Sequence, residues 1–147
     1  MDRKIHGVVS FSLILIALVG AIQVIIQSSV YLGLIYTVIC VLSLLLMCYS
    51  YCSKCICRLE SCGHIIPGKI TKYLPRRKQE RYLGSDYLGL IIPLSLIIIF
   101  PQYWLWKITA ILIVFWSLLF IAVIDIKLYV CKGCKNQFCP MLKNYQE

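Results

Sequence analysis

The chain has 147 residues, of which 61% are hydrophobic and 14% are charged, and its mean hydropathy is +0.84. Water-soluble domains carry about 25% charged and about 45–50% apolar residues. This composition therefore excludes a soluble globular domain and a disordered chain, and it indicates a membrane protein. The net charge is +9, with 15 Lys and Arg residues against 6 Asp and Glu, and in a membrane protein the positions of those charges matter more than their sum.

Four apolar stretches predict four membrane-spanning helices, because a hydrocarbon core about 30 Å thick requires about 20 apolar helical residues. They cover residues 8–26, 30–49, 87–105 and 108–128. The first exceeds the apolar run of about 7–15 residues found in a signal peptide, so we expect it to remain as a span. Residues 27–29 leave room only for a tight turn. Pro93 and Pro101 predict that the third helix bends or ends early.

The predicted fold is an all-α membrane protein of two helical hairpins with a small cytoplasmic cysteine-rich, metal-binding module. The first hairpin covers residues 8–49 and the second covers 87–128. A cysteine-rich and basic loop covers 50–86, and a cysteine-rich tail covers 129–147. Each hairpin is followed by a CxxC pair, Cys52 with Cys55 and Cys131 with Cys134. This correspondence suggests a parallel repeat and places both pairs just beyond a span, on the same side.

Basic residues are distributed very unequally between the two predicted sides of the membrane. Lys107 lies on the side of the hairpin turns, next to the aromatic residues Tyr103, Trp104 and Trp106. The other side holds the termini, the central loop and all remaining basic residues: Arg3, Lys4, Lys54, Arg58, Lys69, Lys72, Arg76, Arg77, Lys78, Arg81, Lys127, Lys132, Lys135 and Lys143. By the positive-inside rule this side faces the cytoplasm. We therefore predict a multi-pass protein of the cell (inner) membrane.

The cysteines indicate metal binding. Cytosolic thiols are kept reduced, which favours metal ligation over disulfides. Cys40 and Cys48 lie inside the second span and are interpreted as small buried residues. The candidate ligands are the donors predicted on the cytoplasmic side: Cys52, Cys55, Cys57, Cys62, His64, Cys131, Cys134 and Cys139.

Eight donors suffice for two four-coordinate zinc ions. In one arrangement the two CxxC pairs share an ion while Cys57, Cys62, His64 and Cys139 hold the second; in the other, each ion is held mainly within its own half. Zinc contributes about 10–16 kcal/mol of apparent binding free energy, enough to order a stretch with few apolar residues. An iron–sulfur cluster is the alternative, because the Cys131, Cys134, Cys139-Pro140 run partly resembles ferredoxin spacing. Closed tetrahedral sites are typically structural.

The segment after the cysteines predicts a short amphipathic helix. Ile66, Ile70, Tyr73 and Leu74 share one face. Such a helix is suited to the surface of an anionic leaflet; the simpler alternative is that its charges only set topology. The candidate lipid-binding residues are Lys69, Lys72, Arg76, Arg77, Lys78 and Arg81.

The sequence favours a non-enzymatic role. It contains no G-x-S-x-G, HExxH or phosphate-binding loop, and no recognition fold for nucleic acid. No span carries a charge near its centre, which argues against an ion or proton pump. We therefore expect a zinc-stabilised scaffold or accessory subunit that presents its cysteine-rich surface to a protein partner or larger membrane complex. The alternative is a membrane redox protein that uses an iron–sulfur cluster or CxxC thiols.

Overall fold

The computed structural model describes residues 3–55, 62–75, 77, 82–132, 134, 136 and 139, and the regular structure within them is helical. Four stretches are long and apolar enough to cross a membrane: Arg3–Ser28, Val30–Lys54, Gly84–Leu105 and Thr109–Val130. Within the described residues, the prediction of an all-helical fold with four helices long and apolar enough to span a membrane is thus confirmed. The elements are α1 (Arg3–Ser28), α2 (Val30–Ser50) with a 3₁₀ turn at Cys52–Lys54, α3 (Ile65–Ile70) with a 3₁₀ turn at Thr71–Tyr73, α4 (Gly84–Ile99), α5 (Gln102–Leu105), and α6 (Thr109–Asp125) with a π-helical turn at Ile126–Val130.

The turn of the first hairpin is even tighter than predicted. Helix α1 continues through Ser28, so Ser29 alone separates it from α2. The Ser29 N–H donates to the Ile25 carbonyl at 2.8 Å. Gly33, on the first turn of α2, lies against Ile26, and a side chain at this glycine would overlap the Ile26 side chain. The absence of a Cβ at position 33 therefore allows the two helices to meet immediately after the turn.

The third span breaks at Pro101, as its sequence predicts. Pro101 has no N–H, so the Ile97 carbonyl lacks its usual helical donor. The buried Tyr36 hydroxyl of α2 replaces that donor at 2.8 Å. The Gln102 side-chain amide donates to the neighbouring Ile98 carbonyl at 2.7 Å. Both carbonyls are satisfied within the protein, which is required of a helix break in lipid.

The helices pack with the first hairpin in the middle. Helix α1 contacts α2 and α6, and α2 contacts α4, so α6 and α4 lie on opposite sides of the first hairpin. The α1 surface at the core includes the small residues Ala17 and Ala21, both buried, and small residues allow close helix approach in membranes. Many large apolar side chains elsewhere on the four helices are exposed, as expected for surfaces that contact lipid.

Because both hairpins run in the same direction, one end of the bundle collects the start of α1, the end of α2, the start of α4 and the end of α6. We call it the cysteine-rich end. It consists of residues 3–10, 50–55, 62–75, 77, 82–89 and 125–132 together with Cys134, Asn136 and Cys139. The opposite end carries the Ser29 turn and α5, followed by Lys107, whose ammonium lies 4.9 Å from the centre of the Tyr103 ring.

Candidate functional site

Two glycines allow the loop that carries Cys62 to approach the helices. Gly63 lies directly against Gly7 of α1, and a side chain at Gly7 would overlap the Gly63 carbonyl. On its other side Gly63 lies against Val130, at the end of the π-helical turn, and close to Arg3. The Cys62–His64 segment is therefore wedged between the beginning of the first span and the end of the fourth.

This packing of the Cys62–His64 segment brings cysteines of the loop and of the tail within electrostatic range of one another. The Cys52 thiol is hydrogen-bonded to Cys48 and interacts electrostatically with Cys55 and Cys62. The Cys131 thiol interacts with Cys62 and, in the tail, with Cys134 and Cys139. Cys62 thus lies within electrostatic range of a cysteine of each CxxC segment, and we call Cys52, Cys55, Cys62, Cys131, Cys134 and Cys139 together the thiol cluster. All of them are present as thiols.

Two stacked tyrosines and a buried asparagine hold this cluster on one side. The Tyr51 and Tyr82 rings stack with centroids 4.4 Å apart. The Tyr51 hydroxyl lies 4.0 Å from the Cys139 sulfur. Asn136 donates to the Tyr82 hydroxyl at 3.3 Å and to the Cys55 sulfur at 3.5 Å. Aromatic and amide groups from α2, the loop and the tail therefore fix the positions of thiols from both halves of the chain.

Burial disfavours charge on two of the candidate ligands, Cys131 and His64. Burial, followed by the neighbouring Cys139 and Cys134 thiols, raises the pKa of Cys131 to about 11, although Arg3 opposes this shift. Burial, followed by Arg3, lowers the pKa of His64. Both groups are therefore neutral at pH 7, and Arg3 lies within electrostatic range of each.

The predicted metal-binding module is not observed as a formed site. Within the described part of the chain, no three His, Cys, Asp or Glu side chains come together closely enough to hold an ion. Cys57 lies outside the described residues. The structure thus supports the proximity of the candidate cysteines but gives no support to a preformed zinc or iron–sulfur geometry. His64 faces Arg3.

A buried ion pair joins α2 to α4 beneath the thiols. The Lys54 ammonium lies 2.6 Å from Asp86, and their side chains are 5% and 1% exposed. Arg77 approaches the same carboxylate at 2.7 Å and is 30% exposed, and the Leu83 N–H donates to it at 2.9 Å. Sequence reasoning counted Lys54 only as a topological charge and left Asp86 in the loop. The available signal was an acidic residue at the third position of a helix, where it accepts from the capping backbone N–H.

A second polar contact joins α1 to α6. Asp125 accepts from Ser10 at 2.5 Å and lies 2.6 Å from His6 Nδ1. The His6 ring stacks on Tyr129, with centroids 4.3 Å apart. This cluster was not predicted, although His6 and Ser10 are four residues apart and therefore share a helix face. Ionisable residues near a span typically have partners, which was a signal to search for one.

The two carboxylates have the same structural role. Asp86 fastens the start of α4 to the end of α2, and Asp125 fastens the end of α6 to the start of α1. Each helix of the second hairpin is thus attached to one helix of the first. The two CxxC segments begin directly after Tyr51 and Val130. These two contacts between helix ends therefore set where both segments begin.

The candidate lipid-binding residues are placed in different environments. Lys69 and Lys72 are exposed on α3 and its 3₁₀ turn, and Tyr73 beside them is 89% exposed. Gly68 and Thr71 face inward instead. Arg77 is engaged with Asp86. Arg76, Lys78 and Arg81 lie outside the described residues.

No protein-family model matches the chain, and no curated protein or solved structure shows significant similarity to it.

Proposed function

We propose that this chain is a zinc-binding integral membrane scaffold, or accessory subunit, whose cysteine-rich end lies at the cytoplasmic surface. The observation that carries the proposal is the packing of Gly63 against Gly7 and Val130, which brings Cys62 within electrostatic range of Cys131. Thiolates from separated segments are typical ligands of structural zinc, which ties such segments together.

The distribution of charge supports the cytoplasmic orientation. The cysteine-rich end carries exposed Lys4, Lys69, Lys72, Lys127 and Lys132, whereas Lys107 follows α5 at the opposite end. Positive residues near span ends are retained on the cytoplasmic side. Thiols on that side remain reduced and are available as ligands, and the exposed lysines are suited to anionic lipid headgroups.

Zinc binding at the thiol cluster must displace protons. Burial raises the pKa of Cys131 because its thiolate is poorly solvated, so at pH 7 a divalent ion competes with a proton for this sulfur and offsets the cost by binding the thiolate directly. Binding requires the sulfurs to move toward a common centre. The Asp86 and Asp125 contacts hold the helix ends, and Lys54, between Cys52 and Cys55, is itself held by Asp86, so the movement falls on Cys62 and on the residues beyond Val130.

Metal analysis of the full chain tests this proposal. Protein purified anaerobically in detergent is expected to be colourless and to contain zinc at a defined stoichiometry. Replacing Cys131 and Cys134 with Ser is expected to lower the zinc content and to expose the 52–81 loop to protease. The matched control is Cys40→Ser, which removes a thiol buried within α2 and should alter neither result. Zinc-free wild-type protein, or unchanged cleavage in the double variant, would contradict the proposal.

A redox function is the second candidate, and the hydrogen bond between the Cys48 and Cys52 thiols favours it. Neighbouring thiols are the groups that exchange electrons as a dithiol and disulfide pair. A visible absorption band that bleaches on reduction would identify an iron–sulfur cluster. Reversible loss of two titratable thiols, in protein that contains no metal, would identify thiol redox chemistry.

A further inference from the structure

We propose that α1 is the helix through which two copies of this chain associate in the membrane. An exposed stripe on α1 packs against the same stripe of a second copy, and the two Gln23 side chains pair across the contact. The inference goes beyond the zinc-binding proposal and does not depend on it.

The stripe has the spacing of a helix seam. Exposed residues lie alternately three and four positions apart along α1, and we call them the α1 stripe: Val9, Ser12, Ile16, Val19, Gln23 and Ile26. A mean spacing of 3.5 residues keeps two parallel helices in contact along their length. The valines and isoleucines of the α1 stripe are 39% to 58% exposed, so the rest of the described chain leaves the stripe uncovered.

Gln23 distinguishes the α1 stripe from a surface suited only to lipid. Its side chain is exposed between the apolar Val19 and Ile26, about 7.5 Å along the helix from Ser28. It makes no hydrogen bond within the described part of the chain. An amide without hydrogen-bond partners is costly in an apolar surrounding, so this position favours a partner that supplies a donor and an acceptor.

The third span shows how an amide is satisfied when the chain itself provides the partners. Gln102 donates to the Ile98 carbonyl at 2.7 Å and accepts from the Trp116 ring N–H at 3.3 Å. The two ends of the Gln102 amide are thus both used inside the protein. Gln23 has no equivalent on the neighbouring helices, which indicates that its partner belongs to another molecule.

Symmetry identifies that molecule as a second copy. Two chains inserted in the same direction are related by a twofold axis along the membrane normal, and this axis sets each seam residue opposite its own equivalent. An amide carries both a donor and an acceptor, so it is complementary to itself. A single polar residue in a helix seam also fixes the register and the number of helices. The Gln23 pair therefore satisfies both amides and specifies a parallel dimer.

Gly20 permits the close approach that such a pair requires. It borders the α1 stripe between Val19 and Gln23, and a Cβ at this position would meet no neighbouring atom within 4 Å. Packing within the chain therefore does not require this glycine, in contrast to Gly7 and Gly33, where a Cβ would overlap a neighbour. Small residues beside a helix contact let two backbones approach in a membrane.

Energy transfer between labelled chains in bilayers tests the proposal. Full-length chains that carry a donor or an acceptor fluorophore at the C-terminus are reconstituted over a range of protein-to-lipid ratios. We expect a dimeric wild type. Gln23→Leu should raise the dissociation constant about tenfold through loss of the interhelical hydrogen bonds, whereas Gln23→Asn keeps an amide and should retain the dimer. Gln27→Leu makes the same change one turn away, off the α1 stripe, and should have no effect.

A matched pair of valine variants locates the contact. Val19 and Val38 are 55% and 56% exposed, at similar distances along α1 and α2 from the Ser29 turn. Val19→Trp should abolish energy transfer, because its ring separates the two α1 helices. Val38→Trp should leave energy transfer unchanged.

Three results would overturn the inference. A monomeric wild type would mean that lipid or a different protein covers the α1 stripe. A dimer that tolerates Gln23→Leu, or one that Val19→Trp and Val38→Trp weaken equally, would make its contact elsewhere. If Val19→Trp does not fold, the Gln23 variants decide. Zinc content, measured on the same samples, reports separately on the zinc-binding proposal, so failure of one proposal is distinguishable from failure of the other.

Discussion

Replacing Asp86 with Asn removes one charge from the most deeply buried ion pair described. The Lys54 ammonium, which is 5% exposed and 2.6 Å from the carboxylate, is then left without its counter-charge. Loss of one partner from a buried pair destabilises by about 3–5 kcal/mol. Asn still offers an acceptor to the Leu83 N–H, so we expect the lower end, about 3 kcal/mol.

Two further variants make the comparison specific to burial and pairing. Arg77→Gln removes the 30% exposed partner of the same carboxylate, and we expect at most about 1 kcal/mol. Lys54→Gln combined with Asp86→Asn removes both buried charges, so its cost should be smaller than the sum of the single variants by about 2 kcal/mol.

The assay is reversible unfolding of the metal-free protein in mixed micelles with increasing SDS, followed by far-UV circular dichroism. Chelator is present throughout, so that metal affinity does not enter the comparison. A loss below about 1 kcal/mol for Asp86→Asn would refute the reasoning, as would strict additivity in the double variant, because both results would mean that the two charges do not depend on each other.

Three other predictions concern the helix break, the loop and the tail. Tyr36→Phe removes the donor to the Ile97 carbonyl and should lower stability by about 1–2 kcal/mol in the same SDS assay; unchanged stability would show that the carbonyl finds another donor. Gly7→Val should displace the Gly63 segment and raise protease cleavage near it, while Gly20→Ala, at a glycine with open space around it, should not; equal cleavage would contradict the close packing. The pKa of Cys131 is about 11 in the folded protein against an ordinary 9.0. The contribution of the protonated thiol to the free energy of unfolding is therefore fully present below about pH 9 and is lost as the pH rises through 11. Alkylation of metal-free Cys131, measured by peptide mass spectrometry, should thus be half-maximal near pH 11, and a midpoint near 9 would contradict the burial argument.

The spans could be predicted because the signal is local. A run of about 20 apolar residues by itself indicates a helix that can cross a membrane, and Pro101 by itself indicates a missing backbone hydrogen-bond donor. The group that replaces the missing donor could not be predicted, because the Tyr36 hydroxyl reaches the Ile97 carbonyl from another helix, 61 residues away in sequence.

The polar contacts of the cysteine-rich end were not predictable for the same reason. His6 and Asp125 are separated by 119 residues, and Lys54 and Asp86 by 32. Each residue alone matches the pattern of a charge at a span end. Only the pairing of α1 with α6 and of α2 with α4 turns them into contacts, and periodicity does not encode which helices become neighbours.

The thiols were partly predictable. CxxC spacing and the parallel direction of the two hairpins indicated the residues, and Cys48 is buried in the second apolar helix as predicted, but its hydrogen bond to Cys52 was not predicted. Its four-residue separation from Cys52 places both sulfurs on one helix face, and that spacing was the missed signal. Convergence into a formed metal site depends on distances that the sequence does not specify, and the described residues do not show it.

The packing of Gly63 against Val130, which brings Cys62 toward Cys131 and carries the zinc-binding proposal, is tested most directly by crosslinking. A metal-free chain that retains only these two cysteines is treated in a membrane with a short thiol-to-thiol crosslinker. We predict an intramolecular crosslink between them. A chain that retains only Cys40 and Cys131 should give none, since Cys40 is about 18 Å along the helix from Cys52. Absence of the Cys62–Cys131 crosslink would contradict the account.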